Sequence, residues 1–321
     1  MKTIGIFPAS GGLGSSTITH LLNLVPANNL TLINRHPDKV PQAHTDAGVQ
    51  ARKASYESLP SELEATFSGI DTLFLISYPS HVRDYRIKVQ LPVINAAHRA
   101  GVSHIFYSSL AFAGPATSTA SIAEVMQAHL ATEAHLRDLA ARDPSFTYTI
   151  IREGLYAEST PIYTAFFNPR EEESAESSEI LIPHDGTGPG VAWVKRDELG
   201  EASARLIAAY AEDPEGFRNG NGTVLLTGPR VWSLEETVGV LGQVAGREVR
   251  IREVGVDEYV RLPKVLGVFG TEEKARTWAT AWEAIRAGET AVVTSQLGEI
   301  LGREPEEFEV TVRRYWGEQV R

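Results

Sequence analysis

At 321 residues, with 42% hydrophobic and 22% charged residues, the chain has the composition of a globular protein with ample core. Its formal charge of −11 opposes phosphate backbones and anionic membranes, so neither nucleic acid nor a membrane is an expected partner. There is no cysteine, which removes disulfides, thiolate metal sites and a cysteine nucleophile together. No apolar stretch near Met1 is long enough for a signal peptide or a membrane span, and a cytoplasmic location is expected.

Over the first 150 residues, short β-rich runs alternate with longer helical patterns, which predicts a doubly wound α/β fold of Rossmann type with a parallel sheet covered on both faces. Strands are predicted over Thr3–Phe7, Leu30–Asn34, Val49–Lys53, Leu73–Ser77, His104–Ser108 and Thr147–Ile151. Helices are predicted from near Gly14, Ser61, Arg83 and Ser121, with Gly69 and Gly101 as C-terminal stops. Pro92 predicts a kink in the third of these or its true start.

After Arg152 the rhythm breaks. Tyr156–Phe167 reads as an aromatic loop, and Pro169–Glu179 as an acidic, exposed one. A helix capped by Asp197, a strand near Val224–Thr227 and a capping box at Ser233–Glu236 follow. Residues 1–155 with about 191–230 are assigned to a dinucleotide-binding domain. Residues 156–190 and 231–321 are assigned to a smaller, mostly helical substrate-binding lobe.

The segment Pro8-Ala9-Ser10-Gly11-Gly12-Leu13-Gly14 stands between the first strand and the first helix. Glycines there let backbone approach a pyrophosphate, and the helix N-terminus attracts it. Pro8 occupies the first glycine position of the G-x-x-G-x-x-G pattern and removes a donor, which leaves Gly11, Gly12, Leu13 and Gly14 to bind phosphate. At the end of the second strand, where an NAD site carries Asp or Glu, stand Asn34 and Arg35, with His36 and Lys39 nearby. Positive charge there suits a ribose 2′-phosphate, so NADP(H) is the expected cofactor.

Several segments together carry a resemblance. PASGGLG, NRHPDK, FSGIDTLFLIS, NAAHRAGVSHIFYSSL, AHLATEAHLR, TYTIIREGLY and VKRDELGEA make the chain similar to the NmrA-like family of atypical short-chain dehydrogenase/reductases, over nearly its full length. The resemblance implies an NADPH-dependent oxidoreductase of quinone-, enone- or imine-type conjugated small molecules, like quinone oxidoreductase and triphenylmethane reductase relatives. Other members bind the cofactor without turnover and regulate a protein partner, and a non-redox isomerase or dehydratase on the same fold is a further alternative.

Ordinary short-chain dehydrogenases use a Tyr-x-x-x-Lys pair for proton donation and ribose binding; Val125 and His129 stand at those positions here. His129 and Glu133 fall one turn apart on an apolar helical stripe. They either satisfy each other or nearby backbone or, as the resemblance implies, His129 lies beside the nicotinamide ribose as a positioning group and proton donor. Ser77, Tyr78 and Pro79 after the fourth strand are expected to line the cofactor, and Ser109 after the fifth to bond substrate. Tyr156 is the candidate catalytic phenol, and the sequence assigns no role to Glu153. Tyr163, Phe166, Phe167 and Trp193 are candidates to wall a pocket for a planar substrate, with polar contacts from His184 and Lys195. The nine histidines form no metal-binding pattern, and no G-x-S-x-G elbow is present.

Overall fold

The computed structural model describes residues 1–171 and 178–317. Seven parallel strands form the main sheet in the order β3-β2-β1-β4-β5-β6-β8. They are β1 (Ile4–Phe7), β2 (Leu30–Asn34), β3 (Gln50–Lys53), β4 (Thr72–Ile76), β5 (His104–Leu110), β6 (Thr147–Glu153) and β8 (Gly222–Leu226). The central strands are continuous apolar runs because helices cover both faces. On one face α1 (Gly11–Leu21) and α7 (Arg196–Glu212) bury Leu13, Ile18, Leu21, Leu199 and Ile207 against Ile6, Leu32 and Phe106. On the other, α3 (Pro60–Phe67), α4 (Arg83–Arg99) and α5 (Glu124–Arg142) bury Phe67, Val93 and Leu136 against Phe7, Leu75 and Tyr107.

The order reverses at β1, which pairs with β2 on one side and β4 on the other. Crevices at the carboxyl ends of strands on either side of such a reversal are where ligands bind in open α/β sheets. A separate apolar core joins Tyr163, Phe167, Trp193, Trp232, Trp278, Trp282 and Phe308. It is built largely from the later helices, among them α8 (Leu234–Val244), α10 (Pro263–Phe269), α11 (Glu272–Arg286) and α13 (Phe308–Gly317).

Several expectations are corrected. α1 begins at Gly11 rather than Gly14, so the glycines form its first turn. α4 starts at Arg83 and runs unbroken through Pro92. β6 extends two residues beyond Ile151 and takes in Arg152 and Glu153, because β5 and β8 continue pairing with them on either side. Asp197 is not the cap of α7: Lys195 is the N-cap, and Asp197 accepts from Ser16 Oγ at 2.6 Å, tying α7 to α1. The Glu158 carboxylate receives the Arg196 amide at the start of α7. The C-terminal region also holds strand β9 (Arg250–Glu253), paired in parallel with β7 (Glu179–Ile182). Most of the predicted acidic loop lies outside the described residues. Among the described residues no helix is long and apolar enough to cross a membrane.

Candidate functional site

Two clefts open at the carboxyl edge of the sheet, one on each side of the reversal. The first, about 600 Å³, is bounded by Ser10 and Gly11 from the glycine-rich turn and by Asn34, Arg35, His36 and Lys39 after β2. α1 has no acidic residue in its first turn, and the hydroxyl of its N-cap Ser10 makes no capping bond. Its terminal N–H groups and positive dipole end therefore remain available to an anion. Gly11 has φ +78° with nothing within 4 Å of where a Cβ would stand, so the backbone is bare toward the cleft. Gly14 does different work: a Cβ there would approach Ile76 Cδ1 at 3.2 Å and the Pro8 carbonyl at 3.3 Å, so glycine allows α1 to lie close on the sheet.

Asn34 is buried and spends its Oδ1 on the His36 amide at 2.8 Å. That bond holds the turn which presents Arg35 and Lys39, both exposed and without an ion pair among the described residues. A cation not foreseen from sequence stands over the glycine-rich turn. The Arg196 guanidinium lies over Gly12, where an added Cβ would come within 2.5 Å of its Nε, and it has no hydrogen-bond partner among the described residues. Two cations and a helix N-terminus thus border one cleft, with Arg196 over the glycine-rich turn.

The second cleft, about 410 Å³, lies beyond β4, β5 and β6. Ser77, Tyr78 and Pro79 line it as expected, together with Ser108, Ser109, His129, Tyr156, Tyr163 and Trp278. His129 and Glu133 do not bond each other. His129 Nε2 faces Arg86 at 2.6 Å and Nδ1 faces the Tyr107 hydroxyl at 3.0 Å. A guanidinium can only donate, so Nε2 must be the unprotonated nitrogen. Burial, then the charges of Arg86 and Arg152, hold the His129 pKa well below its ordinary value. The ring is a fixed neutral strut, which corrects the expected proton-donor role.

Ser109 is likewise committed, because its Oγ donates to Glu133 Oε1 at 2.7 Å. Glu133 is fully buried and carries a two-pronged ion pair with Arg152, Nε at 2.9 Å and NH2 at 2.7 Å, with Arg137 adding a contact at 3.1 Å. Arg152 also donates to the Pro115 and Ser118 carbonyls. This cluster is the polar floor behind the cleft, and no motif in the chain marks Arg86 or Arg152 as partners.

Tyr156 donates from its hydroxyl to Glu153 Oε2 at 2.6 Å. Burial raises the Tyr156 pKa well above its ordinary value, with the Glu153 charge adding to the effect, so the phenol keeps its proton. Burial raises Glu153 to about 7 against the lowering pull of the Tyr156 hydrogen bond and the nearby Ser108 hydroxyl.

The aromatic wall is only partly the expected one. Tyr163 lines the cleft, joined by Trp278, whose ring centroid lies 5.5 Å from that of Tyr163. Trp193 is buried between Tyr163 and Phe308, with its indole N–H donated to Thr237. Phe167 is in the apolar core, Phe166 packs on Phe269, and His184 is buried with Nδ1 accepting the Gly186 amide. Trp193, Phe166, Phe167 and His184 are therefore packing residues rather than cleft walls. Lys195 pairs with Glu306 at 3.2 Å. Among the described residues no group of three or more His, Asp or Glu side chains is placed to hold a metal.

Comparison with known proteins follows the same lines. The model of the NmrA-like family matches residues 1–273. An NmrA-like family domain-containing oxidoreductase of Aspergillus flavus is 31% identical over 302 residues, covering 92% of this chain and 89% of that protein. Quinone oxidoreductase 2 of Escherichia coli is 29% identical over 265 residues, covering 83% of this chain and 82% of that one. Triphenylmethane reductase of Citrobacter sp., crystallised with NADP(H), superposes with a TM-score of 0.76 at 28% identity, covering 98% of this chain and 99% of that one.

Proposed function

Because the chain belongs to the NmrA-like family, we propose that it is an NADPH-dependent reductase which delivers hydride to a conjugated small molecule of quinone, enone or imine type. The observation that carries this reading is the division of labour between the two clefts. The first sets Arg35 and Lys39, which have no ion pair among the described residues, at a bare helix N-terminus, and the second is a recess with Tyr163 and Trp278 in its wall that holds the Tyr156–Glu153 pair.

The residues of the first cleft fit a phosphorylated dinucleotide. Gly11, Gly12 and Leu13 present the first-turn amides of α1 to the pyrophosphate, and Arg35 with Lys39 faces a ribose 2′-phosphate. Gly14 and Asn34 act at one remove, by seating the helix and shaping the turn. In the second cleft Ser77, Tyr78 and Pro79 border the nicotinamide end, and neutral His129 adjoins the ribose. NADPH, when bound, supplies the hydride.

The chain's own part is to hold a flat acceptor between Tyr163 and Trp278 and the cofactor face, to exclude water, and to offer the Tyr156 hydroxyl to an acceptor oxygen or nitrogen. Orientation supplies most of the rate for acceptors that need little acid assistance. The absence of a Tyr-x-x-x-Lys pair therefore leaves this chemistry intact. The relatives named for quinones and triphenylmethane dyes point to the same class of substrate.

The test is to mix purified protein, saturated with NADPH, with a panel of quinones, enones, imines and cationic triphenylmethane dyes and to follow loss of NADPH absorbance. Turnover of at least one class is expected. Saturable NADPH binding with no oxidation by any of them would overturn the proposal.

A further inference from the structure

The Glu153–Tyr156 pair lies inside the second cleft and is not explained by binding. Glu153 is 1% exposed and ends β6, held between Leu110 of β5 and Leu226 of β8. The next residue fixes its direction: at Gly154 a Cβ would stand 2.3 Å from Val194 Cγ2 and 2.9 Å from the Leu226 carbonyl, so the chain is pressed against its neighbours there. Glu153 Oε2 takes the Tyr156 hydroxyl at 2.6 Å, while Oε1 is buried with no hydrogen-bond partner among the described residues. A carboxylate so placed has one oxygen uncompensated, which is costly in a buried site. A neutral carboxyl removes that charge and gains a proton to give.

Resting on the reductase reading above, we propose that Glu153 is the proton reservoir of the reaction. It reprotonates Tyr156 as Tyr156 protonates the acceptor oxygen or nitrogen, which selects acceptors whose reduction consumes a proton. In the step, the acceptor gains the hydride and its two electrons from NADPH, the π pair moves onto its oxygen or nitrogen, and that atom takes the phenol proton. As the phenol hydrogen turns to the acceptor the bond reverses: the carboxyl, protonated on Oε2, donates to the phenol oxygen and passes its proton there across the same 2.6 Å contact, and water later reprotonates Glu153. The balance is one hydride and one proton added to the acceptor, with NADP⁺ released. Glu153 acts through Tyr156 and is a positioning residue in this scheme; Tyr156 is the group that touches substrate.

The surroundings leave this carboxyl to titrate near neutrality. Burial pushes it up to about 7, and the Tyr156 hydrogen bond and the nearby Ser108 hydroxyl pull it down. Arg196 and Glu158 act on Tyr156 with opposite signs. Arg86, from α4, and His129, from α5, share the cleft but engage each other. Arg152 and Glu133 neutralise each other behind it. Raising the pH through about 7 removes the Glu153 proton, so the rate of a proton-consuming reduction falls by about tenfold per pH unit above that point.

The experiment has two readouts. Rates with a quinone or enone acceptor are measured from pH 5 to pH 9 in the wild type, Glu153→Gln and Tyr156→Phe, with NADPH affinity measured alongside by fluorescence. The wild type is expected to show the falling limb near 7; both variants are expected to lose it and to be slower at pH 6, while NADPH affinity moves less than about threefold. Independently of turnover, infrared difference spectra of the wild type against Glu153→Gln are expected to show a protonated-carboxyl C=O band that disappears with a midpoint near 7. An unchanged limb in Glu153→Gln, a fall in NADPH affinity that matches the fall in rate, or a carboxyl already ionised at pH 5 overturns the relay. Failure of every acceptor in the wild type, with the infrared band present, overturns the reductase reading instead.

Discussion

Replacing Glu133 by Ala is expected to be among the most damaging single changes near the cleft. Both Glu133 and Arg152 have side chains with 0% exposure, and Glu133 accepts bonds from Ser109, Arg137 and two nitrogens of Arg152. Truncation leaves the Arg152 guanidinium with only the Pro115 and Ser118 carbonyls and no counter-charge. Removing one member of a buried pair costs about 3–5 kcal/mol, most of it the penalty of the stranded charge. Glu201 and Arg303, a pair at 2.8 Å whose arginine is 47% exposed, serve as the contrast; Glu201→Gln should cost under about 1 kcal/mol. Urea unfolding of both variants measures the difference. A double-mutant cycle with Arg152→Met should return a coupling of about 2 kcal/mol or more, because removing both charges spares the stranded one. A loss under about 1 kcal/mol for Glu133→Ala, or a coupling near zero, would refute the claim that this pair is a buried electrostatic unit.

Two further outcomes follow from the clefts. Arg35→Ala should weaken NADPH binding by roughly 10- to 100-fold, the worth of about 1.5–3 kcal/mol for charge-assisted bonds to a 2′-phosphate, and should change NADH binding by less than about threefold; equal losses in calorimetry would reject the cofactor assignment. The His129 ring should show no titration between pH 6 and 8 by carbon-13 NMR, because burial and Arg86 keep it neutral. A midpoint near the ordinary 6.5 would restore the proton-donor role.

Local rules carried the chain far. Apolar runs separated by helical segments and glycine stops gave six strands to within two residues at most ends, because alternation and turn chemistry are properties of neighbours in sequence. The glycine-rich turn was legible for the same reason, and the lack of an acidic residue at Asn34-Arg35 pointed to a phosphorylated cofactor. Strand β9, Arg-Ile-Arg-Glu, escaped because it is short, polar and largely exposed; its pairing with β7 is all that makes it a strand.

The site itself was decided in three dimensions. Trp278 joins the cleft wall from α11 while Trp193, nearer in sequence to Tyr156, is turned into the core. His129 and Glu133 are adjacent on one helix face, yet each bonds an arginine from another element, Arg86 of α4 and Arg152 of β6. Glu153 has no role legible in the sequence, and its burial follows from β5 and β8 pairing on either side of it, with Val194 against the neighbouring Gly154. By itself the sequence determined the strand-helix order of the first half, the glycine-rich turn and the positive charge after β2, since these depend on residues a few positions apart. Which ionisable groups are buried, and therefore which can hold or release a proton, was left to the tertiary structure, because desolvation and pairing are set by side chains far apart along the chain.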